Sequence, residues 1–128
     1  MRLVDTSAWI EWLLGSPTGQ TLKPLIPARE NILMPTMVQL ELAKWLTREV
    51  DEDKADQAIA FSGTCVVVDL DTTIALSAAE ISSKHKLATA DAIIYATALL
   101  YGAEVITCDA HFKDLPGVMF VAKVRAGA

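Results

Sequence analysis

Four carboxylates lie at positions where a soluble protein does not need an acid. Asp5 and Asp109 each follow a short apolar segment that predicts a buried strand. Glu41 lies within the apolar stripe of a predicted helix, and Asp91 is in the first turn of a helix that is apolar on nearly every side. Ligands bind at the carboxyl ends of the strands in open α/β sheets. These acids are therefore candidates for a common site at that edge.

Glu41 is the most informative of the four. Its helix carries Val38, Leu42 and Trp45 at i, i+4 and i+7, the spacing of a core-facing stripe. Burying an ionised carboxylate without a partner costs several kcal/mol or forces it to protonate. Glu41 must therefore meet a cation, form a salt bridge to a nearby Lys or Arg, or lie at the edge of the stripe.

Each of the other acids also has an ordinary explanation. Asp5, Thr6 and Ser7 are typical helix N-cap residues, and an acid such as Asp91 in a first turn complements the helix dipole. Gathered together, however, four like charges would raise one another's pKa and would need a strong counter-charge. Hard oxygen ligands without a cluster of Cys and His indicate Mg²⁺ or Mn²⁺.

Composition limits the class of protein. The chain has 128 residues, 52% of them hydrophobic and 21% charged, which predicts one domain spanning 1–128. No apolar run reaches the ~20 residues of a membrane span and no signal peptide is evident, so a cytoplasmic protein is expected. Cys65 and Cys108 lack metal-site spacing and are expected to be reduced structural thiols. The net charge of −5 argues against nucleic-acid binding by electrostatics alone.

Predicted strands and helices alternate along the chain, which favours a parallel α/β sheet with helices on both faces. The strands are expected at 2–4, 32–34, 65–68, 104–107 and 118–121. The helices are expected at 6–14, 18–28, 36–48, 51–62, 72–85 and 90–100. The second helix is weak because it contains Pro24 and Pro27, Thr89 is expected to cap the last helix, and 109–116 is expected to be a loop.

Four motifs in order, VDTSAWIEWL, LELAKWL, TADAIIYATA and VITCDAHFKDLPGV, resemble the PIN-domain ribonucleases. The resemblance covers essentially the whole chain and is greatest to the VapC-type toxins of bacterial toxin–antitoxin pairs. It implies a three-layer α/β/α sandwich around a central, mainly parallel sheet of four to five short strands. The resemblance also implies catalytic and metal-binding roles for Asp5, Glu41, Asp91 and Asp109, with Thr6, Ser7 and Thr107 as supporting hydroxyls.

The function implied by this resemblance is cleavage of RNA by a metal-activated water, with Mg²⁺ or Mn²⁺ as cofactor. A cognate antitoxin protein and a second copy of the chain are the implied partners. On this interpretation Asp5 ends its strand as a metal ligand, and Thr6 or Ser7 caps the helix behind it. The resemblance leaves the role of a fifth acid, Asp114, open.

Two other functions compete with the ribonuclease. One is a binding module that keeps the fold but lacks activity. The other is a haloacid-dehalogenase-like phosphatase that uses Asp69 and Asp71 of VVVDLDTT, although Asp71 fits an ordinary helix N-cap better. His111 could assist catalysis, and His85 between two lysines could contact RNA. The simpler expectation is that His111 is an ordinary polar loop residue. For His85 it is that the residue belongs to a solvated helix end.

Overall fold

The computed structural model describes residues 1–124, and the last four residues of the predicted domain lie outside that range. Five parallel strands form one sheet in the order β3-β2-β1-β4-β5. They are β1 (Arg2–Val4), β2 (Ile32–Pro35), β3 (Val66–Val68), β4 (Glu104–Thr107) and β5 (Val118–Phe120). The predicted parallel α/β sheet is confirmed.

Six helices flank the sheet, so the predicted three-layer sandwich is also confirmed. They are α1 (Thr6–Leu14), α2 (Pro17–Leu22), α3 (Thr36–Glu49), α4 (Glu52–Ser62), α5 (Thr72–His85) and α6 (Thr89–Leu100). Short 3₁₀ turns cover Lys23–Leu25, Arg29–Asn31 and Ala110–Phe112. None of the helices within residues 1–124 is long and apolar enough to cross a bilayer.

Helix ends account for most of the differences from the predicted elements. The helix expected at 18–28 ends at Leu22 and continues only as a 3₁₀ turn that contains Pro24. Proline lacks the amide hydrogen that a longer helix would use there. The N-cap of α6 is Ala88 rather than Thr89, and it makes no side-chain cap bond. The segment expected to be a loop begins with the 3₁₀ turn after Asp109.

The core lies between the sheet and its helices. Leu3, Val4 and Ile106 of the two central strands have no exposed area. In α6, residues 92–98 are all buried, as the apolar sequence of that helix predicts. Trp9 of α1 is also buried, with its ring 5.9 Å from that of Phe61.

The order of the strands creates a crevice at one place. The chain runs from β1 outwards through β2 to β3 and then crosses to β4 and β5 on the other side of β1. Connections therefore diverge between β1 and β4, and in such sheets ligands bind beyond the carboxyl ends of the strands at this point. Asp5 and Asp109 follow these two strands.

Candidate functional site

Asp5 is the first residue after β1 and is tied to β4. Its backbone amide donates to the carbonyl of Ile106 at 2.9 Å. Its side chain is only 4% exposed, and its Oδ2 accepts hydrogen bonds from Thr107 Oγ1 at 2.8 Å and Ser7 Oγ at 2.9 Å. Burial raises the pKa of Asp5, and these hydroxyls partly offset that effect. The carboxylate is therefore buried but held in one orientation.

Glu41 reaches the same region from α3. Its Oε1 accepts a hydrogen bond from Thr6 Oγ1 at 2.7 Å, which joins α3 to the residue after Asp5. The side chain is half-buried, so Glu41 lies at the inner edge of the apolar stripe. Within residues 1–124 no Lys or Arg forms an ion pair with it. The salt-bridge explanation for Glu41 therefore has no support.

The negative charges of the other three acids affect the pKa of Asp91. Burial in the first turn of α6, followed by the charges of Asp109, Asp5 and Glu41, raises the pKa of Asp91 to about 6. The charges of all three other acids thus act on Asp91. Asp91 and Asp109 also place ligand atoms within 4.8 Å of each other, in a group that does not include Asp5 or Glu41.

Asp109 belongs to a network of hydroxyls at the end of β4. Its backbone amide donates to Thr107 Oγ1 at 2.9 Å, and the amide of the preceding residue, Cys108, donates to Ser7 Oγ at 3.0 Å. Ser7 and Thr107 thus connect the carboxyl ends of β1 and β4.

The expectation that Thr6 or Ser7 caps α1 is wrong. The N-cap is Asp5, and it makes no side-chain cap bond. Both hydroxyls instead donate to carboxylates, which are strong acceptors because they are charged. They hold Glu41 and Asp5, respectively.

His111 lies beside the acids although it is exposed. Its backbone amide donates to Asp109 Oδ1 at 2.9 Å, and its Nδ1 is 3.0 Å from the same oxygen. Asp91, Asp109 and His111 each place one possible ligand atom within 4.8 Å of the other two. His111 is therefore closer to the acids than an ordinary polar loop residue was expected to be. Asp114 is exposed and forms no ion pair or side-chain hydrogen bond within residues 1–124.

Two cavities beside the acids contain cationic residues, of which Lys44 and Arg48 were not predicted from the sequence. One is lined by Glu41 and Thr6 together with Lys44, Trp45 and Arg48. The lysine and the arginine follow Glu41 by three and seven residues, so helical spacing alone could have placed them on its face. The second cavity, of about 440 Å³, is lined by His85, Lys86, Leu87, Ala88, Asp91 and His111. The end of α5 is thus close to the site and is not simply a solvated terminus.

The acids of the phosphatase alternative lie elsewhere. Asp69 and Asp71 are exposed and follow β3, which is an edge strand. Asp71 accepts a hydrogen bond from the amide of Ile74 at 2.9 Å and is therefore the N-cap of α5. Nothing in the structure favours a nucleophilic role for Asp69.

Comparison with solved structures finds the same fold in proteins of toxin–antitoxin systems. A toxin–antitoxin complex from Klebsiella pneumoniae contains a chain with a TM-score of 0.82 and 23% identity, covering 97% of this chain and 100% of that one. VapC20 from Mycobacterium tuberculosis, a sarcin-ricin loop cleaving toxin, has a TM-score of 0.74 and 21% identity, covering 92% and 97%. A chain of VapBC2 from Rickettsia felis, bound to a promoter DNA fragment, has a TM-score of 0.72 and 13% identity, covering 96% and 98%.

At these identities the similarity concerns the fold. No curated protein matches the sequence. The model of the PIN domain family, in contrast, matches residues 2–118, which includes all four acids, strands β1 to β4 and the first residue of β5. The chain therefore belongs to the PIN-domain family.

Proposed function

We propose that this protein is a VapC-type toxin, a metal-dependent endoribonuclease that a cognate antitoxin inhibits. The observation that carries the proposal is the gathering of Asp5, Glu41, Asp91 and Asp109 with no Lys or Arg paired to any of them within residues 1–124. Carboxylates that raise one another's pKa destabilise a protein unless a cation compensates them. The family and the folds of the structural neighbours agree with this function.

The donor atoms fit a hard divalent cation. Carboxylate oxygens are the ligands that Mg²⁺ and Mn²⁺ prefer, and the four acids would hold the ion at the crevice between β1 and β4. Thr107, Ser7 and Thr6 would fix the orientation of two of these carboxylates through the hydrogen bonds described above. When bound, Mg²⁺ supplies an activated water and stabilises the charge that develops on the phosphodiester.

The flanking cavities support an RNA substrate. The chain carries a net charge of −5, so the approach of a polyanion depends on local positive charge. Lys44 and Arg48 lie on one side of the acids and Lys86 on the other. We infer that these side chains bind phosphates on either side of the scissile bond.

The proposed partners are the antitoxin and a second copy of the chain. Two of the three structural neighbours named above come from complexes of a toxin with its antitoxin. Leu99, Leu100 and Tyr101 at the end of α6 are about half exposed, and apolar surface of this kind marks interfaces. An enzyme that acts on RNA under antitoxin control would work in the cytoplasm, which is the location we propose.

The direct test is RNA cleavage by the purified protein with Mg²⁺ or Mn²⁺, and with EDTA. Cleavage should require the metal and should be lost in Asp5→Asn and Asp91→Asn, which keep the side-chain shape and remove one negative charge each. Asp69→Asn is the matched control, because that acid is exposed and remote from the site, and it should cleave as fast as the parent. Cleavage that survives EDTA, or that survives in both site variants, would refute the mechanism.

A catalytically silent binding module remains the second candidate, and the same preparation distinguishes it. Such a module would bind the antitoxin but would cleave no RNA at any metal concentration. Hydrolysis of a phosphate monoester by the parent that is lost in Asp69→Asn would instead favour the phosphatase alternative.

A further inference from the structure

Outside the four carboxylates, His111 is the side chain best placed to contact a cation at this site. It lies in the 3₁₀ turn Ala110–Phe112, immediately after Asp109. Its ring contributes a ligand atom to the group within 4.8 Å that also contains Asp91 and Asp109. The charge of His111 also acts on Asp91, partly opposing the rise in that pKa.

The position of His111 is determined by its neighbours even though its ring is exposed. The next residue, Phe112, is completely buried, with its ring 6.5 Å from that of Tyr95. The amide of His111 is held by Asp109 Oδ1 at 2.9 Å. The backbone of the turn is thus anchored on both sides of the imidazole, and only the ring is free to adjust.

We propose that His111 is a nitrogen ligand of the cation held by Asp91 and Asp109, so that the site prefers Mn²⁺ over Mg²⁺. The inference rests on the proposed function only in requiring that a cation binds there. Imidazole suits transition metals, whereas Mg²⁺ takes oxygen ligands almost exclusively. One nitrogen donor in an otherwise carboxylate site therefore changes which ion binds best.

The distances permit this coordination after a small adjustment. Two ligands on opposite sides of one ion are separated by about 4.2 Å, given metal–ligand distances near 2.1 Å. The three candidate atoms lie within 4.8 Å of one another. This bound exceeds 4.2 Å by only roughly half an ångström, so a small rotation of the exposed imidazole is enough for any pair that is too far apart.

The simplest alternative is that His111 only positions Asp109. Its Nδ1 is 3.0 Å from Asp109 Oδ1, which is also the geometry of a hydrogen bond that orients a metal-binding carboxylate. A positioning residue would affect the binding of Mg²⁺ and Mn²⁺ equally. A nitrogen ligand would affect Mn²⁺ much more.

The test measures metal binding rather than activity. Isothermal titration of the full-length protein with Mn²⁺ and with Mg²⁺ gives both affinities, and electron spin echo spectroscopy of the Mn²⁺ complex detects a directly bound ¹⁴N. The parent should show the nitrogen coupling, and His111→Ala should lose it. The variant should bind Mn²⁺ about tenfold more weakly, a loss of the size seen when a residue that supports a metal site is removed. Its affinity for Mg²⁺ should change less than about twofold.

His85→Ala is the matched control, because His85 lines the same cavity as Asp91 and His111. This variant should keep the nitrogen coupling and both affinities. Equal losses of Mn²⁺ and Mg²⁺ affinity in His111→Ala, or Mn²⁺ bound without nitrogen coupling in the parent, would overturn the inference and leave the proposed function intact. Failure of the parent to bind either ion would overturn both.

Discussion

At the scale of single residues, Asp91 makes the combined effect of burial and of the neighbouring carboxylates measurable. Its pKa is raised from 3.8 to about 6, so the folded protein holds this proton more tightly than the unfolded chain does. The metal-free fold is therefore favoured below about pH 4 and loses that advantage as the pH rises through about 6. In EDTA we expect Asp91→Asn to melt a few degrees above the parent at pH 7.5, with no difference near pH 4.

Calorimetry or circular dichroism at the two pH values checks this expectation. Asp114→Asn removes an exposed acid that makes no side-chain hydrogen bond within residues 1–124, and it should leave both melting temperatures unchanged. A large loss of stability in Asp91→Asn without metal would mean that the acid has a structural role instead.

Thr107 tests whether the hydroxyls support the site. Its hydroxyl donates to the buried Asp5 and accepts from the amide of Asp109. Thr107→Val keeps the shape and leaves both groups short of a partner, which should cost about 1–3 kcal/mol in the free energy of unfolding. Thr107→Ser retains the hydroxyl and should recover most of this loss in urea denaturation with EDTA. Equal stability of the two variants would contradict the assigned role.

At the scale of elements, the packing of α1 against α2 depends on Gly19. A Cβ at this position would lie 2.1 Å from the carbonyl oxygen of Glu11, which is backbone and cannot move aside alone. We expect Gly19→Ala to destabilise the fold by about 2 kcal/mol or more through overpacking. Gly63→Ala, with ordinary helical φ and its nearest atom at 3.4 Å, is the control and should be within about 0.5 kcal/mol of the parent. Similar urea midpoints for both would show that α2 can shift freely.

At the scale of the whole molecule, two apolar surfaces allow the proposed partners to be separated. Leu100, at the end of α6, is 52% exposed, and Leu14, at the end of α1 beside an apolar groove, is 51% exposed. We propose the first surface, where Leu99, Leu100 and Tyr101 are each about half exposed, for the homodimer, and the apolar groove for a segment of the antitoxin. Leu100→Glu should therefore shift sedimentation from dimer to monomer at micromolar concentration, because a buried charge opposes association. Leu14→Glu should remain dimeric, and a parent that sediments as a strict monomer would refute the dimer.

Local sequence was sufficient to predict the elements and to single out the acids. The periodicity of apolar residues and the positions of prolines depend only on neighbours along the chain, so the strands and most helix bounds could be predicted. Glu41 could be singled out for the same reason, since an acid within the apolar stripe of its helix departs from the expected pattern. The exceptions are helix ends such as the one at Leu22, where the predicted helix ran past Pro24, although the missing amide hydrogen of proline allows only a 3₁₀ turn there.

The partners of the site residues depended on contacts between distant parts of the chain. Thr107 and Asp5 are 102 residues apart and meet only because β4 pairs with β1. No local pattern reports the order of the strands, so the sequence could place both acids at strand ends but could not show which hydroxyls hold them. The local sequence predicts that Thr6 or Ser7 is a helix cap. In the folded protein both hydroxyls donate to carboxylates instead. The same holds for His111, whose place beside Asp91 follows from the packing of α6 against the turn after β4.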